Sequence, residues 1–117
     1  MPARNDRAAP PPPEGGFEVR FARKAAADGW EQLCRAAPGP MRMAYDYLST
    51  RPYQPLNPSR QHPLQYDLKF ASIGGKNFRQ WQYEVTGAGR IWYAVNEPRS
   101  TTWVTHASVG HPSKTDK

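Results

Sequence analysis

The sequence predicts an α+β domain of order β-α-α-β-β-β-β, an antiparallel sheet with a helical hairpin packed on one face. Three observations predict it. Phe17, Val19 and Phe21 alternate with Glu18 and Arg20. Apolar residues then recur at helical spacing through residues 26–48, and residues 64–109 are written in period two between glycine- or proline-bearing turns.

Residues 1–16 hold Pro2, a run of four prolines from Pro10 to Pro13, and Gly15-Gly16, with little that is apolar. They are expected to form a disordered or polyproline-like arm. The alternation at residues 17–21 is a first strand. From Arg23 the period changes, because Ala26, Trp30, Leu33 and Ala37 line one side of a helix. Gly29 should weaken that helix by about 1 kcal/mol relative to alanine. Pro38-Gly39-Pro40 stops it, and Pro40 suits the first turn of a second helix over residues 41–49, whose Met41, Ala44, Tyr45 and Leu48 share a face. Residues 51–63 carry four prolines and read as an irregular connection.

Four strands follow. Leu64, Tyr66, Leu68 and Phe70 alternate with polar residues; after Gly74-Gly75, Trp81, Tyr83 and Val85 alternate with Gln80, Gln82 and Glu84. After residues 86–89, Ile91, Tyr93 and Val95 alternate with Arg90, Trp92 and Ala94. Past residues 96–100, Trp103, Thr105, Ala107 and Val109 alternate with Thr102, Val104 and His106. Short turns make this an antiparallel meander. Residues 17–114 are read as one domain, with 115–117 as a tail. Trp81, Tyr83, Tyr93 and Trp103 are expected in the core.

The formal net charge is +6 and the sequence pI about 9.8, which favours polyanionic partners, nucleic acid or an acidic protein. Residues 51–114 hold eight basic residues against three acidic ones, so most of the positive field belongs to the second half. Cys34 is the one cysteine. That excludes an intrachain disulfide or thiolate metal cluster, and three scattered histidines make no convincing zinc site. No apolar run is long enough to span a membrane and no secretory segment opens the chain, so the expected location is cytoplasmic.

Gly87-Ala88-Gly89-Arg90-Ile91-Trp92-Tyr93 resembles the Gly-x-x-Arg, two apolar residues and Tyr of the RelE/ParE superfamily of toxin-antitoxin toxins. Leu68-Lys69 is similar to the Leu-Lys that opens the family's first sheet hairpin, and Val109-Gly110-His111 to the apolar-Gly-His that closes its last strand. The resemblance implies a toxin of a type II system: a metal-free endoribonuclease cleaving mRNA, by expectation on the ribosome, held in check by a cognate acidic antitoxin. It implies no metal and no cofactor. Two features depart from the family pattern. Gln80, Gln82 and Glu84 stand where many ribosome-dependent members carry Arg or Lys, and His111 is followed by Pro112 with no later tyrosine. A ParE-like topoisomerase-binding toxin and a non-catalytic nucleic-acid- or partner-binding relative remain open alternatives.

Such cleavage needs a base for the ribose 2′-OH, cations for the phosphate charge and an acid for the leaving 5′ oxygen. The candidate catalytic residues are Glu84 as a base, Arg90 as the cation and His111 for proton transfer, histidine's ordinary pKa of about 6.5 suiting that task. His106 competes with His111. Lys69, Lys76, Arg79 and Lys114 are candidate phosphate contacts, and Trp92, of the same strand parity as Arg90, a base-stacking surface. Arg90 has a rival role, bonding its guanidinium to a turn carbonyl.

Overall fold

The computed structural model describes residues 3–8, 11–50, 52 and 60–110. Six strands and two helices run in the order β1 (Glu18–Phe21), α1 (Lys24–Ala36), α2 (Pro38–Thr50), β2 (Gln61–Pro63), β3 (Phe70–Ile73), β4 (Lys76–Glu84), β5 (Arg90–Asn96) and β6 (Thr101–Ser108). Single 3-10 turns occupy Tyr66–Leu68 and Glu97–Arg99. The sheet order is β1-β6-β5-β4-β2, with β3 also pairing β4.

The α+β class and the helical hairpin are as the sequence predicts, but the sheet is mixed rather than antiparallel. β1 runs parallel to β6, Glu18 facing Thr101 and Phe21 facing Val104, while every other pair is antiparallel. The α-hairpin between β1 and the meander is the long crossover that a parallel neighbour requires.

α1 buries Ala26, Ala27, Trp30 and Leu33, and α2 buries Met41, Ala44, Tyr45 and Leu48, against Val19, Phe21, Tyr83, Val85, Ile91, Tyr93, Val104 and Ala107 of the sheet. Trp30 meets the Phe21 ring edge-on, centroids 5.8 Å apart. α2 begins at Pro38, earlier than the apolar spacing predicts. Neither Pro38 nor Pro40 loses a helical bond there, since the first-turn donors have no partner within the helix; the Met41 amide closes the turn onto the Ala37 carbonyl. Cys34 is only half-buried, packed at the edge of the core, and burial pushes its thiol pKa up.

Gly29 has a packing role that helix propensity does not reveal. A Cβ built there would lie 1.9 Å from the Ala107 carbonyl oxygen, so α1 rests on the β6 backbone itself. In the interior, Tyr93 donates its hydroxyl to the Pro52 carbonyl at 2.6 Å and accepts from Gln61 Nε2 at 2.8 Å. Burial pushes the Tyr93 pKa far up, so this phenol stays protonated.

Three local expectations are corrected. The strand expected through residues 64–70 does not form before Phe70: Tyr66 takes a left-handed φ of 58° and is almost fully solvated, which breaks the extended chain into a 3-10 turn between β2 and β3. β2 itself falls inside the proline-bearing stretch read as irregular. In β6 the ladder shifts register between Trp92, which faces His106, and Tyr93, which faces Val104, so Thr105 is the extra residue of a bulge. Strict alternation fails there. Thr102, Val104 and Ala107 lie under the helices, whereas Trp103, expected in the core, pairs with Ala94 on the opposite face and is only partly buried.

The described part of the arm is attached to β1. The Asn5 and Ala8 amides donate to the Phe21 and Val19 carbonyls at 2.8 and 2.7 Å, the Phe21 amide to the Asp6 carbonyl, and Ala8 joins the core. Arg7 faces Arg20 in this short antiparallel bridge, and Glu18 lies between their charges, 3.7 Å from Arg7 and 2.9 Å from Arg20. Among the described residues no helix is long and apolar enough to cross a membrane.

Candidate nucleic-acid interface

The helices leave one face of the sheet free of them, and strand parity sends the even-numbered residues of β4 and β5 there. Glu84 pairs with Arg90, and Arg90 with Ser108, so the three form one row across β4, β5 and β6. Arg90 is nearly buried. Its Nη1 donates to the Thr86 and Gly89 carbonyls, each at 3.1 Å, and its Nη2 lies 3.6 Å from Glu84 Oε2. The guanidinium therefore locks the β4–β5 turn, where the Val85 amide donates to the Gly89 carbonyl and the Gly89 amide to Thr86 Oγ1.

The next row is Gln82, Trp92 and His106. Trp92 is 7% exposed, donates its indole N–H to Gln82 Oε1 at 2.9 Å and lies against the His106 ring, centroids 4.7 Å apart. It is part of a floor, with little ring surface left for a base. His106 Nε2 is buried with no hydrogen-bond partner. Burial, with the nearby positive charge of Arg23 adding to it, holds the His106 pKa below the usual 6.5, so the imidazole is neutral at neutral pH.

Beyond Trp92 the 3-10 turn at Tyr66–Leu68 folds over the sheet. Gln80 Nε2 donates to the Leu68 carbonyl at 2.9 Å, and Gln80 Oε1 accepts from Thr105 Oγ1. Between this turn and the β1–α1 connection lies a cavity of about 330 Å³, lined among others by Arg23, Asp67, Phe70, Gln80, Trp92 and Thr105. Arg23 is held there by its Nε, which donates to the Thr105 carbonyl at 2.8 Å. The bulge that displaces Thr105 makes both contacts possible.

The remaining sequence candidates divide. Lys69 and Lys76 are exposed beside and at the tip of the β3–β4 hairpin, Lys69 Nζ sitting 5.6 Å from the centre of the Phe70 ring. Arg79 has odd parity and lines a different cavity with Trp81, Val95 and Glu97, its Nη2 donating to the Leu64 carbonyl. It stands apart from the Glu84–Arg90 row. His111 and Lys114 lie outside the described residues; the chain reaches Gly110 just past Ser108, at the Arg90 end of the face. Sequence reasoning missed Arg23, Asp67 and Phe70, which come from a loop, a turn and a strand end that only the tertiary fold brings to one cavity. Among the described residues, no three His, Cys, Asp or Glu side chains are grouped so as to hold a metal.

The neutral state of His106 predicts a pH dependence of stability. Its folded pKa lies below the unfolded value of about 6.5, so between the two the unfolded chain binds more protons. The contribution is complete above about pH 6.5 and is lost as pH falls through the folded value. Urea denaturation across this range should show a loss of stability toward acid that shrinks in His106→Phe; equal slopes in both proteins would refute it.

Fold and site together define an α+β domain with a helix-covered sheet face and, on the other, an arginine-locked turn beside a neutral histidine and a lined cavity. No protein-family model and no curated protein matches the chain.

Proposed function

We propose that this chain is a RelE/ParE-like toxin that binds RNA on its helix-free sheet face and cleaves it. The observation that carries the reading is a neutral histidine, His106, one strand row from Arg90 on that face. Metal-free cleavage forms a bond from the ribose 2′ oxygen to phosphorus and breaks the bond from phosphorus to the 5′ oxygen, leaving a 2′,3′-cyclic phosphate and a 5′ hydroxyl. The His106 ring, only half-buried on that face, accepts the 2′-OH proton. Arg90 stabilises the charge that grows on the phosphate oxygens, and Glu84 holds the guanidinium in place. His111 supplies the proton to the leaving oxygen. Lys69 and Lys76 attract the RNA backbone, and an acidic antitoxin covers the same basic surface until it is removed.

Expression without the antitoxin should stop growth and create new 5′ ends in transcripts, and His106→Ala or His111→Ala should relieve both. Growth arrest with intact transcripts would eliminate cleavage. One observation favours a second reading: every terminal nitrogen of Arg90 already has a protein partner. That suits a toxin that binds a topoisomerase without cutting RNA, which DNA damage with unchanged translation would select.

A further inference from the structure

The cavity beside Trp92 has opposite charges on its lining that do not neutralise each other. Asp67 is exposed and forms no ion pair among the described residues, and only the Nε of Arg23 is hydrogen-bonded, to Thr105. Gln80, by contrast, has both ends of its amide engaged, with Leu68 and Thr105. A ligand that enters therefore finds one free carboxylate, one free pair of guanidinium nitrogens and the exposed ring of Phe70, with the edge of Trp92 at the floor. A ligand matching this lining is flat, presents two adjacent N–H donors on one edge and two acceptors on another, and fits about 330 Å³.

Among the four RNA bases guanine alone has that arrangement. Its N1–H and N2–H₂ form a donor pair that a carboxylate accepts with both oxygens, and its O6 and N7 form the acceptor pair that arginine reads with both terminal nitrogens. Adenine and cytosine offer one amino group to a carboxylate, and uracil one ring N–H. We propose that the cavity is a guanine-selective base pocket, with Asp67 on the Watson–Crick edge, Arg23 on O6 and N7, and Lys69 at the rim for the adjoining phosphate. The proposal rests on reading this face as the RNA-binding surface, and it adds the base that the surface selects.

The test uses the full chain, titrated by calorimetry with GMP, AMP, CMP and UMP, and then with single-stranded RNA containing or lacking one guanine. GMP should bind at least tenfold more tightly than the other three, the discrimination expected of one good bidentate contact. Asp67→Asn, at an exposed position, should abolish that preference while leaving the thermal melt unchanged, and Arg23→Lys should weaken it. Guanine-free RNA that binds as tightly as guanine-containing RNA would overturn the pocket and leave the RNA proposal standing. GMP binding without RNA binding would keep the pocket and remove RNA as the substrate. Equal affinity for all four nucleotides would overturn the pocket.

Discussion

Gly29→Ala is expected to destabilise the protein by about 1 to 3 kcal/mol, the usual cost of forcing atoms into a filled interior. Helix propensity alone demands the opposite sign, since alanine is favoured over glycine inside a helix by about 1 kcal/mol. The contact decides. The new methyl would stand 1.9 Å from the Ala107 carbonyl oxygen and 2.7 Å from its carbon, and both are backbone atoms of a strand paired on each side. They cannot swing aside as a flexible side chain could, so α1 must lift off β6 and loosen the Trp30 and Leu33 contacts. In a domain of this size the melting temperature should fall by about 4 °C or more. An unchanged or raised melting temperature would show that the helix does not rest on the strand as described.

Arg90→Ala is expected to act on both the fold and the chemistry. The lost guanidinium leaves the Thr86 and Gly89 carbonyls without their charged donor, at a cost of about 2 to 3 kcal/mol. Glu84 is about one-third exposed and can rehydrate, so its share of that loss is small. On the proposed reaction, removing the cation should slow RNA cleavage by about 10² to 10³-fold. Arg90→Lys separates the two roles, because an ammonium keeps the charge but cannot reach both carbonyls and the carboxylate in one planar fork. Thermal melts and cleavage of a labelled RNA read the two effects independently. Full cleavage by a folded Arg90→Ala protein would remove Arg90 from the chemistry.

Much of the architecture is legible in local pattern. β4 and β5 alternate without interruption, so the sequence correctly separates Tyr83, Ile91 and Tyr93 from Glu84, Arg90 and Trp92 onto opposite faces, while the side that the helices cover is visible only in the structure. The helices are legible because their apolar spacing is uniform. β6 is not, because a single extra residue at Thr105 reverses the parity of everything before it, and no residue type there announces a bulge. Residues 64–70 mislead in the same way: they alternate, yet Tyr66 adopts a left-handed conformation in which an extended strand cannot continue. The parallel pairing of β1 with β6 joins segments from opposite ends of the chain, and periodicity carries no information about such a pairing. Arg23 and Asp67 share a cavity for the same non-local reason. The engaged guanidinium of Arg90 was foreseeable only as an option, since the two carbonyls it meets belong to the turn before it.

The strand added last to the sheet in chain order sits between two that precede it, β5 and β1. During synthesis β1 leaves the ribosome first but has no sheet partner until β6 follows at the far end, so the molecule closes late, through contacts of large sequence separation. Until then Val19 and Phe21 have the helices but lack the β6 residues that complete their burial, a period in which the growing chain is open to chaperones and to early capture by another polypeptide.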